Sequence, residues 1–249
     1  VTDTHGYGLL TLKGVFEKSS NVGFAKAVNK YYKDDPKRFV EHLYKMGLNE
    51  PLHLQIAGGQ NPVIRKPGDR WWDGTTLTNM AYGYALLLTP MKTLTFYNAV
   101  ANDGRMVSPL FVKELRQYGQ TLRTYRARTM VSSIASDETL KEVRAAMRGV
   151  VEEGTGRILK SRYYKVGGKT GTAQNRGHDH SVFMGFAPMN NPKIAIAVYV
   201  ENGGFGAVYG VPIGALMMEQ YLKGKLSPEN EIRAEEYSNR VIMYGNEER

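Results

Sequence analysis

From Tyr163 onward the chain lays down three extended, apolar-rich segments whose connections are too short for a parallel crossover. Tyr163 to Gln174, Ser181 to Ala187 and Lys193 to Glu201 read as strands, with turn residues at Arg176-Gly177 and Asn190-Asn191-Pro192. A parallel pair needs a long connection, usually a helix, so these strands form an antiparallel meander. What precedes them is patterned as helix. Thr11 to Glu17 and Val22 to Tyr32 have helical composition, and Pro36 to Met46 reads as a helix with proline in its first turn and Gly47 as its stop. Thr76 to Leu88 and Pro90 to Asn102 read as a helix pair. Asp137 to Val151 repeats Leu140, Val143, Met147, Val150 and Val151 on one face behind a Ser136 cap. Val211 to Leu222 closes the pattern as a helix. The expected fold class is therefore α/β, an antiparallel sheet covered by helices.

Between the helices, residues 49–73 combine Pro51, Pro62 and Pro67 with Gly58, Gly59 and Gly68 and few periodic apolar positions, which reads as a long loop of the kind that often carries function. The chain has no cysteine, which excludes disulfides, thiolate metal sites and a cysteine nucleophile. Its longest apolar runs, Ala81 to Leu88 and Ile194 to Val200, fall far short of the roughly 20 residues that span a bilayer. The formal charge of +9 suits an anionic partner. The cations are scattered apart from a modest concentration at Arg116, Arg123, Arg126 and Arg128, and no zinc-ligand spacing or RNA-binding aromatic signature accompanies them. A nucleic-acid partner is not expected; an anionic cell-wall polymer or lipid headgroup fits better.

Two polar motifs stand out. Lys169-Thr170-Gly171-Thr172 follows the glycine pair Gly167-Gly168 on the first strand of the meander. On a strand, Lys169 and Gly171 face one way and Thr170 and Thr172 the other. An ammonium and hydroxyls beside a glycine-rich edge suit an extended peptide that ends in a carboxylate. The plainer alternative is a surface strand with a solvated lysine. Far upstream, Ser19-Ser20-Asn21 breaks two helical segments. Ser19 and Asn21 are one residue apart in a turn, so a hydroxyl and an amide can share one space, although Ser and Asn also serve as helix N-caps. Two further patterns are decoys. Thr89-Pro90-Met91-Lys92 mimics a nucleophile-x-x-lysine spacing but reads as a helix start, and His178-Asp179-His180 reads as a solvated turn without a third ligand.

Together these motifs resemble the transpeptidase domain of class B high-molecular-weight penicillin-binding proteins over about residues 1–225. Gly8-Leu9-Leu10-Thr11-Leu12, Gly83-Tyr84, Thr89-Pro90, the run Tyr97 to Gly104 and Gly154-Thr155-Gly156 add to the likeness. Residues 1–165 are closer to the division-type branch, and about 179–222 to the elongation-type branch. The resemblance implies a penicillin-binding-protein/serine β-lactamase-like fold and serine acyl transfer on D-Ala-D-Ala stem peptides, with no cofactor and no metal. It implies that Ser19, Asn21 and Lys169 act catalytically: Ser19 relays a proton, Asn21 holds the substrate amide and Lys169 sets the positive potential. Thr170, Gly171 and Thr172 would bind substrate, the threonines at its terminal carboxylate.

The family's Ser-x-x-Lys nucleophile motif is not in this sequence. Only 18 residues precede Ser19, so the expectation is a transpeptidase domain at 1–226 without its N-terminal part, inactive as it stands, and a charged tail at 227–249. The resemblance further implies an N-terminal membrane anchor outside this chain and a place on the outer, periplasmic face of the cytoplasmic membrane. Implied partners are peptidoglycan strands, a glycosyltransferase and divisome or elongasome proteins, with β-lactams only if Ser-x-x-Lys is supplied. The alternatives are a β-lactam-sensing module on the same fold and a D,D-carboxypeptidase or β-lactamase.

Overall fold

In the computed structural model, which describes residues 1–174 and 178–239, the meander is the middle layer of the molecule. In chain order the elements are α1 (Leu12–Lys18), α2 (Asn21–Tyr32), α3 (Pro36–Lys45), β1 (Val63–Ile64), α4 (Thr76–Met80), β2 (Leu86–Leu87) and α5 (Pro90–Ala101). There follow β3 (Met106–Val107), β4 (Glu114–Gln117), β5 (Gln120–Thr124), β6 (Thr129–Val131) and α6 (Asp137–Glu152). After a 3-10 turn at Arg157–Leu159 come β7 (Gly167–Ala173), β8 (His180–Ala187), β9 (Ile194–Val200), α7 (Gly210–Lys223) and α8 (Pro228–Ser238).

Strands β7, β8 and β9 pair antiparallel in that order, with Lys169 opposite Met184 and Phe183 opposite Val198. The short connections required this, although the turn expected at Arg176-Gly177 lies outside the described residues. Strand β8 is buried along nearly its whole length, so its side chains serve two cores. Phe183 and Phe186 are three residues apart and leave the sheet on opposite faces. Phe183 packs with Ile196 and Val198 of β9 and with Val211, Ala215 and Met218 of α7. Phe186 packs with Ala99 and Val100 of α5 and Met147 of α6. A third cluster, Val40, Leu48, Ile64 and Met80, with Trp72 against it, holds α3, β1 and α4 together.

The helix ends follow local chemistry. The Thr11, Ser20, Asp35, Thr89 and Ser136 side chains each accept a hydrogen bond from a backbone N–H in the first turn of the helix that follows. Thr89 is thereby a helix cap, with its oxygen on the Lys92 N–H.

Three expectations need correction. The helix expected over Thr76 to Leu88 stops at Met80, because Gly83 (φ +103°) and Ala85 (φ +60°) take left-handed backbone angles that no α-helix contains. The chain turns there, and Leu86–Leu87 pair with Val63–Ile64, which puts a short strand inside the loop expected over residues 49–73. The first strand of the meander begins at Gly167 and not at Tyr163. The charged C-terminal stretch is helical over Pro228–Ser238 and docks through Glu219 of α7, which accepts hydrogen bonds from the Ser227 N–H and hydroxyl and from Asn230 Nδ2.

Candidate active site

Ser19 is the C-cap of α1 and has φ 57°, a left-handed conformation usually given to glycine at helix ends. An L-residue there costs about 1–2 kcal/mol. A side chain placed where glycine would be cheaper calls for a use, and the Ser19 hydroxyl has one: Lys169 Nζ donates to it at 2.6 Å across a sequence gap of 150 residues. Ser20 does the capping. Its hydroxyl accepts from the Gly23 N–H and donates to the Asp3 carboxylate, whose other oxygen accepts from the Val22 N–H. The two readings of Ser19-Ser20-Asn21 thus divide between neighbours. Ser20 is the N-cap, which leaves Ser19 and the half-buried Asn21 at the head of α2.

Lys169 also donates to the Thr170 carbonyl at 2.9 Å and lies 5.8 Å from the centre of the Phe16 ring. No carboxylate bonds to it among the described residues. Burial disfavours the ammonium and lowers its pKa from 10.5 to about 8. Near neutral pH this amine is therefore a cation that gives up its proton far more readily than a solvated lysine.

Helix α6 holds the pair in register. Strand β7 and helix α1 both pack on it, and α1 comes close at two glycines, Gly149 within α6 and Gly154 just past its end. A Cβ at Gly149 would fall 1.7 Å from Glu17 Oε1, and one at Gly154 would fall 2.4 Å from the Glu17 carbonyl. Lys18 Nζ ties the same end of α1 to the Glu153 carbonyl at 2.9 Å. The glycines of β7 also have an interior use. A Cβ at Gly168 would meet the Phe183 ring at 2.5 Å, and one at Gly167 the Met189 sulfur at 2.3 Å, so both make room for the core beneath the strand.

The two threonines sit on the face opposite Lys169. Thr170 Oγ1 shares a hydrogen bond of 2.6 Å with Thr155 Oγ1, and Thr172 Oγ1 accepts from the Gly206 N–H at 3.3 Å. Gly171 and Val182 carry the 203–209 loop at close range: a Cβ at Gly206 would lie 2.5 Å from the Gly171 carbonyl oxygen. The outer edge of β7 has no partner strand among the described residues, so backbone groups there are open to an extended chain. At the exposed end of β7, the Tyr84 hydroxyl donates to Gln174 Oε1.

Sequence reasoning missed Thr155, Asp3, Gln174 and Ser181 as supports. The fully buried Ser181 donates to the Phe205 carbonyl and accepts from the Gly210 N–H, which fixes the 203–209 loop to β8. Only Thr155 carried a signal, as part of Gly154-Thr155-Gly156. In the decoy turn, His180 Nδ1 accepts from the Asn202 N–H, and no group of three potential metal ligands exists among the described residues.

A family model described as the penicillin binding protein transpeptidase domain matches residues 1–219. A probable peptidoglycan D,D-transpeptidase of Neisseria flavescens is 28% identical over 235 residues, covering 91% of this chain and 55% of the relative. Penicillin-binding protein PbpB of Mycolicibacterium smegmatis is 31% identical over 213 residues, covering 79% of this chain and 32% of the relative. The chain thus spans little more than half the length of the first relative and about a third of the second. Among solved structures, a peptidoglycan glycosyltransferase from Burkholderia ambifaria superposes with a TM-score of 0.75 at 28% identity over 90% of this chain and 66% of that one. The D,D-transpeptidase domain of an Eggerthella lenta protein superposes with a TM-score of 0.78 over 89% of this chain and 56% of that one; at 24% identity it speaks for the fold.

Proposed function

The chain belongs to the penicillin-binding protein transpeptidase family, and from that premise we propose that it is the larger part of a peptidoglycan D,D-transpeptidase domain. The observation that carries this reading is the 2.6 Å hydrogen bond from Lys169 to Ser19. Acyl transfer to an amine needs a group that passes a proton between base and leaving amine, beside a positive potential that steadies the anionic peptide. A hydroxyl bonded to an ammonium with a pKa near 8 is suited to both tasks.

In this reading the D-Ala-D-Ala end of a stem peptide lies along the open edge of β7. Ser19 relays the proton, Asn21 holds the substrate amide, and Lys169 supplies the potential. Thr172, beside Gly171 at the more exposed end of the strand, meets the terminal carboxylate. Thr170, on the same face, meets it as well, with its hydroxyl bonded to that of Thr155. The 249-residue sequence contains no Ser-x-x-Lys, and we expect no acylation of this chain by penicillin. Residues 1–226 would constitute the domain and 227–249 its tail. No helix among the described residues is long and apolar enough to cross a membrane; placement at the outer face of the cytoplasmic membrane, beside a glycosyltransferase and divisome or elongasome proteins, belongs to the same proposal.

Binding tests it without turnover. Titration of the chain with a diacetylated Lys-D-Ala-D-Ala peptide, followed by carbon NMR of the Lys169 Cε, is expected to give a saturable shift that Asn21→Ala weakens and that the L-Ala-L-Ala peptide does not produce. An equal response to both peptides would overturn the reading.

A further inference from the structure

Both tryptophans of the chain lie side by side in Arg70-Trp71-Trp72-Asp73-Gly74, and the fold places Trp72 beside α2, the helix that starts in the candidate site. Trp72 packs against the cluster of Val40, Leu48, Ile64 and Met80 and also lines a cleft of about 370 Å³. Facing it across the cleft are Asn29 and Lys33 of α2, with Asp73, Leu77 and Thr78 completing the walls. Neither Ser19 nor Lys169 belongs to this cleft.

Its chemistry is specific. Asn29 and Thr78 bond each other twice, Nδ2 to Oγ1 at 3.0 Å and Oγ1 to Oδ1 at 3.1 Å, which fixes the amide and leaves it one further N–H and one lone pair. Asp73 Oδ1 accepts from the Thr75 N–H, the Thr75 hydroxyl and the Thr76 hydroxyl, and those bonds hold the carboxylate ionised by lowering its pKa. Its Oδ2 accepts none of the hydrogen bonds found among the described residues. The cleft therefore presents a rigid aromatic ring, a fixed amide, a carboxylate oxygen and the Lys33 ammonium. An aromatic platform ringed by planar polar groups and no net charge of one sign matches a neutral, hydroxyl-rich ring with an apolar face.

We propose that this cleft is a saccharide subsite, which takes an N-acetylhexosamine unit of the glycan strand that carries the stem peptide. The inference rests on the transpeptidase reading and extends it to the sugar end of the substrate. The reach agrees. Asn29 stands eight residues along α2 from Asn21, about 12 Å of helix rise. Four extended peptide residues, from the scissile carbonyl back to the sugar, span about 14 Å at most.

A Trp71→Phe variant leaves Trp72 as the reporter, since Trp71 is 64% exposed and phenylalanine keeps a ring under Arg70. Titration of that protein with a β-1,4-linked N-acetylglucosamine tetramer is expected to give a saturable change in Trp72 emission. Asp73→Asn and Lys33→Ala, the latter at an exposed position, are each expected to weaken it about tenfold, the worth of one hydrogen bond to a charged group. No saturable change in the folded protein would overturn the proposal, and so would a change that both variants leave intact. If Asp73→Asn unfolds, Lys33→Ala decides alone. The peptide titration at Lys169, run on the same sample, separates the two readings. A Lys169 response without a Trp72 response sinks the saccharide subsite only, whereas loss of both sinks the transpeptidase reading with it.

Discussion

Lys169 and Lys92 are two lysines whose amines are drawn into the protein, and burial lowers the pKa of each. Their surroundings differ. Lys92 is 1% exposed, and its Nζ donates to the Glu50 carbonyl at 2.7 Å, which ties the segment after α3 to α5. Lys169 is half-buried and donates to a hydroxyl that sits on a left-handed residue, beside a strand edge with no partner strand among the described residues. Desolvation alone does not set these two amines apart; their partners do. The Glu50 carbonyl can only accept, whereas the Ser19 hydroxyl can also donate, which is what a proton relay requires.

The largest expected effect breaks that contrast if it fails. Lys92→Ala opens a cavity and strands the Glu50 carbonyl, which should cost about 3 kcal/mol in urea denaturation. A loss much smaller than this would mean that Lys92 holds nothing together. Glu219 sharpens the contrast from the side of a charge with a full set of partners. Burial pushes its pKa up, but the hydrogen bonds from Lys223, Asn230 and Ser227 outweigh it and hold the value down at about 2. The folded state therefore prefers the carboxylate. Its contribution is present above the ordinary value of 4.5 and is lost as pH falls through 2. Glu219→Gln should cost about 1–2 kcal/mol at neutral pH and flatten the acid limb of the stability curve.

The smallest effect concerns Lys169 itself. Lys169→Met should change stability by less than about 1 kcal/mol, since a desolvated ammonium is lost along with its bonds. In the unaltered chain the Lys169 Cε resonance should titrate near 8. The unfolded chain binds the extra proton between 8 and 10.5, so stability rises with pH across that window. A midpoint near 10.5 would put Lys169 in solvent and remove the distinction from a surface lysine.

The sequence announced what depends on long, regular patterning: the antiparallel meander, the amphipathic α6 and the closing α7. The convergence of Lys169 with Ser19 was legible only through two motifs met together, because neither is informative alone. What escaped depends on close range. The apolar run Ala81 to Leu88 looked helical, and only the left-handed angles at Gly83 and Ala85 turn it into a strand. Strands β4 and β5 form a hairpin exposed on nearly every residue, so burial never stamped an alternating pattern on them. The Thr155–Thr170 and Ser20–Asp3 bonds join hydroxyls whose partners lie 15 and 17 residues away, and nothing in a string of residues marks such a match.

Because α1 and β7 lean on the same helix, Ser19 and Lys169 travel as passengers of one rod. A hinge in the hairpin, the long loop or the C-terminal helix would carry donor and acceptor together, and the 2.6 Å between them would keep its length. Glycines at 149 and 154 set that fidelity: the first leaves room for the Glu17 side chain and the second for the Glu17 carbonyl, and a branched residue at 154 would press on α1 and on the Val150 backbone at once.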